Sequence, residues 1–220
     1  FNLISIKEVM LLYKSGFNIL SFTMSKYIFG GGSKIAIFHT FGAAVAGSYA
    51  LAWQLVTLIS ILFTQIVRVW RLEITNKARD RDLSGALKSC HHMMSFVFVI
   101  SIMTGICVFI GLDYVLPYYN ADFPDVRGLI IALLVYLPVI GFDYSVSVIA
   151  IAVNKTKLMR FVYFLIAIFT AVIYYLIFVA KKYDVVNMQP EYFIFSISLC
   201  HLMALSVIYY NISRGINSES

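Results

Sequence analysis

The stretch GLIIALLVYLPVIGFDYSVSVIAIA, residues 128–152, contains a single charged side chain, Asp143. A helix needs about 20 apolar residues to cross about 30 Å of hydrocarbon, so this stretch predicts a transmembrane helix. Comparable stretches occupy residues 15–38, 42–67, 93–112, 159–180 and 192–212. Together they predict an all-α membrane protein, a six-transmembrane-helix bundle in which residues 1–220 form a single domain.

The amino-acid composition favours the same class. Hydrophobic residues make up 61% of the chain, charged residues make up 13%, and the mean hydropathy is +0.86. An ordinary soluble domain has about 25% charged residues, so this class is excluded. The three cysteines are an odd number and imply no disulfide framework. Adjacent His91 and His92 would point apart on a helix and lack further ligands at workable spacing, so we expect no metal site and no cofactor.

The distribution of basic residues predicts the orientation in the membrane. Lys and Arg collect in cytoplasmic loops, and the polar connection at residues 68–88 carries six of them. If this connection is cytoplasmic and the spans alternate, both termini are also cytoplasmic. The net charge of +6 then reflects the asymmetry, and anionic membrane lipids rather than nucleic acid are the expected partners. Residues 71–89 are predicted to form a separate interfacial helix.

Two lysines and a glycine triplet distinguish the first span. Lys26 lies near its middle, Lys34 lies toward its outer end, and Gly30, Gly31 and Gly32 lie between them. A cation at membrane depth is costly, so Lys26 predicts a polar cavity or a buried partner. Lys34 either binds an anion or extends its side chain to the interface. Glycine disfavours a helix by about 1 kcal/mol relative to alanine, so the triplet is either a hinge or a notch for close helix packing.

Asp143 is the only acidic residue inside a predicted span. It has two interpretations, which the sequence leaves open. It can neutralise Lys26 or Lys34 in a structural ion pair, or it can bind and release a proton or a sodium ion and couple transport to an ion gradient. Pro138, five residues earlier, should free a carbonyl in the preceding turn and is a second candidate hinge.

Several segments resemble, in order, segments of one transporter family. FGAAVAGSYALAWQL, residues 41–55, resembles a short outer turn in which small residues and a Gly-x-Tyr lead into an Ala-rich helix. Ala78, Arg79 and Asp82 are similar to the cytoplasmic connection that follows. LPYYNADFPDVRGLII, residues 116–131, resembles the next outer loop, and NKTK, residues 154–157, a turn before a helix. The family is the O-antigen type of polysaccharide flippase, in the multidrug, oligosaccharidyl-lipid and polysaccharide exporter superfamily.

The resemblance implies two helical bundles around a central cavity in the bacterial cytoplasmic (inner) membrane. This chain would be the C-terminal half, and its partners would be an N-terminal six-helix bundle and other polysaccharide assembly proteins. The implied substrate is a polyprenyl-pyrophosphate-linked oligosaccharide for surface polysaccharide biosynthesis, with Lys26 and Lys34 attracting its pyrophosphate. The chain departs from the family where an Asp-Arg pair is common, because it has Ser33 and Lys34 there. The start at Phe1 leads us to expect a preceding segment.

Two other functions stay open. A cation-coupled drug or metabolite exporter of the same superfamily could hold an organic cation with aromatic side chains, although two intramembrane lysines would repel it. An integral membrane enzyme of polysaccharide assembly would need catalytic groups near a large outer loop. The loop at residues 113–127 is short and contains no histidine. We therefore expect a transporter and not an enzyme.

Overall fold

The computed structural model describes residues 6–27, 31–118, 126–183 and 189–217. Within these ranges the chain forms seven α-helices and one short 3-10 helix, Leu116–Tyr118, which follows α4. The α-helices are α1 (Ile6–Tyr27), α2 (Ser33–Phe41), α3 (Ala43–Arg79), α4 (Leu83–Val115), α5 (Val126–Ala152), α6 (Thr156–Lys182) and α7 (Pro190–Asn217). The predicted all-α class is confirmed.

Five of the described helices, α3 to α7, are long and apolar enough to cross a membrane. They correspond to five of the predicted spans and indicate a multi-pass membrane protein. The remaining predicted span, residues 15–38, falls on α1 and α2, and residues 28–30 between them lie outside the described ranges. Neither α1 nor α2 has the required length and apolarity. The predicted count of six spanning helices is therefore not confirmed.

The prediction of a separate interfacial helix at residues 71–89 is wrong. α3 continues to Arg79 and α4 begins at Leu83, so only a tight turn separates two long helices. Ile74 is fully buried while Arg71 is exposed, which shows that the end of α3 is amphipathic. The charged residues extend α3 beyond its apolar segment and do not end it. An α-helix satisfies its own backbone hydrogen bonds both in hydrocarbon and in water.

The turn between α3 and α4 is set by its backbone hydrogen bonds. Arg81 has a left-handed conformation with φ 63°. Its N–H donates to the carbonyl of Ala78, and the N–H of Asp82 donates to the carbonyl of Lys77. This pair of bonds is the Schellman motif that ends many helices. The Asp82 carboxylate then accepts a 2.8 Å hydrogen bond from the Gly85 N–H and caps α4.

The turn between α5 and α6 has the same construction. Asn154 is left-handed with φ 56°, a conformation that asparagine tolerates better than most residues. The N–H of Asn154 donates to Ile151 over 3.1 Å, and the N–H of Lys155 donates to Ala150 over 2.8 Å. The sequence NKTK therefore forms a turn before a helix, as predicted.

Both turns lie at one end of the bundle. A pocket of about 310 Å³ there is lined by Ala78 and Leu83 from the first turn, Asn154 from the second and Gly215 from α7. We call this the cationic end, because these cations lie within two turns of it along their helices: Lys77, Arg79, Arg81, Lys88, Lys155, Lys157, Arg160 and Arg214. At the opposite end, the Lys181 ammonium of α6 lies 5.3 Å from the ring centre of Phe41 in α2.

α5 is the central helix of the described bundle. It contacts α3, α4, α6 and α7. Gly141 allows α4 to approach, because a Cβ at this position would overlap the side chain of Val97. The outer helices expose large apolar side chains, such as Ile110 of α4 and Phe169 of α6, each 63% exposed. Lipid tails are as apolar as these side chains, so such exposure is expected in a membrane.

Candidate functional site

Four polar side chains meet where α5, α6 and α7 come together. Asp143 and Tyr136 lie on α5, Tyr163 on α6 and His201 on α7. Tyr136 and Asp143 are seven residues apart, which places them on one helix face. The exposed fractions are 6% for Asp143, 3% for Tyr136, 0% for Tyr163 and 4% for His201. We call these four residues the Asp143–His201 cluster.

Hydrogen bonds connect all four members of the cluster. Tyr163 donates its hydroxyl hydrogen to Oδ1 of Asp143. Nε2 of His201 lies 3.5 Å from the same carboxylate oxygen and 3.4 Å from the Tyr163 hydroxyl. Nδ1 of His201 lies 2.6 Å from the Tyr136 hydroxyl. Burying a polar group without a partner is costly, and this arrangement gives partners to both imidazole nitrogens and to the carboxylate.

The cluster lies within three helices that are long and apolar enough to cross a membrane. Asp143 is nine residues from the end of α5 at Ala152, and Tyr163 is seven residues from the start of α6 at Thr156. At 1.5 Å per residue these positions are about 14 and 10 Å from the cationic end. Asp143 and Tyr163 therefore lie about two turns inside helices that are long and apolar enough to cross a membrane. Ionisable groups inside such helices are functional candidates by default.

A row of aromatic side chains leads from the cluster to α2. The ring centre of Trp53 lies 6.1 Å from that of Tyr136 and 5.9 Å from that of Tyr49. The hydroxyl of Tyr49 lies 2.8 Å from the hydroxyl of Ser33, the first residue of α2. Lys34 follows and is half-buried. The row therefore joins the predicted anion-binding position to the cluster through α3.

The backbone of Lys26 is part of α1, but its side chain lies outside the described part of the structure. α1 contacts α6, the helix that carries Tyr163. The predicted ion pair of Asp143 with Lys26 or Lys34 therefore stays a prediction. The contacts described for the Asp143 carboxylate come instead from Tyr163 and His201.

The glycine triplet is described in part. Gly31 and Gly32 form a π-helical turn that leads into α2, and Gly30 lies outside the described residues. A π-turn interrupts a regular helix and is often found at functional sites. A Cβ on Gly31 would lie 3.2 Å from Cδ1 of Tyr27, so the packing there is tight. The π-helical turn favours a hinge, whereas the tight packing of Gly31 favours a notch for close helix packing. The hinge stays a prediction.

Pro138 lies inside α5, between Tyr136 and Asp143. The helix continues through it from Val126 to Ala152. Since proline has no N–H, the carbonyl of Leu134 lacks its helical donor. The cluster is thus built on a helix segment with a weakened hydrogen-bond ladder, which is where a movement of α5 would cost least. The role of Pro138 as a hinge stays a prediction.

α3 presents polar side chains on the face opposite to the core. Its buried face includes Tyr49, Val56 and Phe63. The opposite face, which we call the α3 stripe, consists of exposed residues at helical spacing: Gln54, Leu58, Ile61, Gln65 and Arg68. The amides of Gln54 and Gln65 form no hydrogen bond within the described residues. An unpaired amide in hydrocarbon costs several kcal/mol, so the α3 stripe is expected to face protein or water.

Two further hydroxyl groups are buried on α6. Oγ1 of Thr170 and Oη of Tyr174 are enclosed and make no hydrogen bond of regular geometry among the described groups, although Cys200 neighbours Thr170 and Ser33 neighbours Tyr174. The ring of Tyr174 stacks on Phe193 of α7 with centres 4.2 Å apart. Tyr163, Thr170 and Tyr174 follow one another at seven- and four-residue steps, so they share one face of α6. Buried polar groups of this kind are commonly satisfied by internal water.

Sequence reasoning identified Asp143 but missed its partners. His201 was detectable, because an ionisable residue inside the apolar span 192–212 is a functional candidate by its cost alone. Tyr136 was detectable from its seven-residue spacing to Asp143. Tyr163 lies on another helix, and no local pattern distinguishes it from the other tyrosines of the chain.

Comparison of the chain with protein-family models, curated proteins and solved structures finds no match. Function is therefore inferred from the chemistry of its own residues. The Asp143–His201 cluster offers a carboxylate and an imidazole that can hold or exchange a proton. The α3 stripe offers amides and a guanidinium that can meet a polar or phosphorylated molecule.

Proposed function

We propose that this chain forms the C-terminal half of a flippase that moves polyprenyl-pyrophosphate-linked oligosaccharide across the bacterial cytoplasmic membrane by alternating access. The observation that carries the proposal is the α3 stripe, whose amides are exposed on a helix long and apolar enough to cross a membrane. Lipid cannot hydrogen-bond them, whereas a polar cavity between two bundles can. The sequence resemblance at residues 41–55 and 116–131 supports this family.

The chemistry of the α3 stripe suits the substrate. Glutamine amides both donate and accept, as the hydroxyl groups of an oligosaccharide require. Arg68, nearest to the cationic end, can bind a pyrophosphate through paired N–H donors. Lys34, at the start of α2 and on the far side of the aromatic row from the cluster, offers a second cation. An anionic headgroup would thus meet a positive charge at Arg68 and at Lys34.

The cationic end is proposed to face the cytoplasm. Lys and Arg are enriched in cytoplasmic loops, and both tight turns carry them here. α7 also ends there, so its last residues are proposed to be cytoplasmic. The same cations would contact anionic lipid headgroups.

A transport assay tests the proposal. The purified full-length protein is reconstituted in vesicles, and translocation of labelled lipid-linked oligosaccharide is followed by its accessibility to an impermeant enzyme. Lys26→Ala and Lys34→Ala should each slow translocation about tenfold, since a hydrogen bond to a charged group contributes about 1.5–3 kcal/mol. Lys182→Ala, which removes an exposed cation at the end of α6, is the matched control. Unchanged translocation in both test variants would exclude the anion-binding role.

A cation-coupled exporter of drugs or metabolites is the second candidate. It is favoured by the Asp143–His201 cluster, where a carboxylate lies among aromatic rings that can hold an organic cation. Such an exporter would extrude a fluorescent organic cation from the same vesicles and leave lipid-linked oligosaccharide in place. An enzyme of polysaccharide assembly would instead transfer sugars in the purified state.

A further inference from the structure

We infer that His201 and Asp143 form a proton-exchange site that drives transport, with the buried hydroxyl groups of α6 providing its access route. The site itself is argued from the geometry of the Asp143–His201 cluster. Its use in transport rests on the proposed function. The sequence had left open whether Asp143 is structural or coupling, and whether a coupling ion would be a proton or sodium.

The hydrogen bonds around His201 accommodate two protonation states. With a neutral imidazole, the Tyr136 hydroxyl donates to Nδ1, and the N–H at Nε2 faces the Asp143 carboxylate. When Nδ1 takes up a proton from water, its N–H donates and the Tyr136 oxygen accepts over the same 2.6 Å. A hydroxyl group can do either, so no contact is lost. Uptake and release change only the charge of the site, by one unit, and no other co-reactant is needed.

Sodium is a poorer fit for this site. Sodium, like other hard cations, prefers several oxygen ligands, whereas the centre of the cluster is an imidazole with one nitrogen toward a carboxylate and the other toward a hydroxyl. A proton needs only the acceptor atoms that are present.

The access route follows the buried face of α6. Thr170 and Tyr174 lie about 10 and 16 Å beyond Tyr163 along the helix, at 1.5 Å per residue, in the direction away from the cationic end. Their hydroxyl groups are enclosed, and each has a polar neighbour: the Cys200 thiol for Thr170 and the Ser33 hydroxyl for Tyr174. Internal water commonly bridges enclosed polar groups, and such bridges would complete the route between these hydroxyl groups. The proton would therefore enter from the side opposite to the cationic end.

Other titratable groups surround the cluster. α5 contributes half-buried Tyr144, α3 contributes Tyr49, and α4 contributes Cys90, whose thiol lies 3.7 Å from the carbonyl of Ser145. Phenols and thiols ordinarily ionise at about pH 10 and 8.5, so their charge is constant near neutral pH. α1 carries Lys26, whose side chain lies outside the described part of the chain. Asp143 and His201 remain the groups that change charge.

The first test is transport under a pH gradient. Vesicles with the full-length protein and lipid-linked oligosaccharide are held at zero membrane potential, with a gradient of about one pH unit. One coupled proton should shift the distribution of substrate between leaflets about tenfold. His201→Gln and the milder Tyr136→Phe should lose this shift. Ser198→Ala, on the same helix but bonded to its own backbone, is the matched control and should keep it. Thr170→Val should slow the response without changing its final extent.

The second test does not depend on transport. The ¹⁵N resonances of His201, assigned by their loss in His201→Gln, are recorded in the purified protein as the pH is varied; they should report both the neutral and the protonated imidazole, and Asp143→Asn should alter their balance. Resonances that do not change with pH would overturn the proton site. If transport by the wild-type protein does not depend on the pH gradient, the coupling is refuted and the flippase function is not. Titration without any transport would support the proton site and refute the flippase.

Discussion

Replacing Gly141 with alanine should weaken the contact between α4 and α5. A Cβ at this position would overlap Cγ1 of Val97 and lie 3.5 Å from Oγ of Ser101. Val97 is fully buried, so its side chain would have to shift within the packed contact between the two helices. Overpacking of this kind costs about 1–3 kcal/mol. Val97→Ala removes the obstructing methyl groups and alone costs about 2 kcal/mol.

The double variant decides whether the two positions are in contact. If they are, Gly141→Ala combined with Val97→Ala should cost at least about 1 kcal/mol less than the sum of the single changes. The free energy of unfolding is measured in mixed detergent micelles by loss of helical circular dichroism. Gly105→Ala in α4 is the control, because a Cβ there meets no atom within 4 Å. If Gly141→Ala behaves as Gly105→Ala does, or the costs simply add, the packing of α5 described above is refuted.

Three further predictions concern the α3–α4 turn and the α3 stripe. Asp82→Ala removes the cap of α4 and should destabilise the protein by about 1 kcal/mol in the same unfolding assay, whereas Asp80→Ala should have no measurable effect; equal effects would contradict the capping bond. Arg81→Gly relieves a left-handed residue and should stabilise the protein by up to about 1 kcal/mol, and a loss of stability would contradict that backbone conformation. Gln54→Leu and Gln65→Leu should slow translocation severalfold and leave the free energy of unfolding unchanged, since these amides are proposed to line the cavity and make no hydrogen bond within the described part of the fold. If translocation slows only in variants that also lose stability, this prediction is contradicted.

The α3–α4 turn shows where local pattern was insufficient. Apolar length identified α3, but its continuation to Arg79 was misassigned because polarity was taken as a sign of a new element. The deciding features are the burial of Ile74 on one face and the left-handed backbone at Arg81. Both depend on how two long helices pack against each other, and hydropathy carries no information about that.

The cluster shows the same limit at the candidate site. Asp143 could be predicted as a functional candidate from the cost of burying its charge, since a single carboxylate in an apolar span is rarely retained without a function. Its neighbourhood was not predictable, because Tyr136 and His201 are 65 residues apart in sequence and meet only through the packing of α5 against α7. Periodicity gives the face of each helix but not which faces meet.

Translocation of lipid-linked oligosaccharide by the purified full-length protein tests the central claim most directly. Vesicles are loaded with radiolabelled polyprenyl-pyrophosphate oligosaccharide and a fluorescent organic cation, and both are followed in the same sample. The proposed flippase should expose the oligosaccharide to an impermeant glycosidase and leave the organic cation inside, and Asp143→Asn should suppress the exposure. Export of the organic cation with the oligosaccharide left in place would contradict the account.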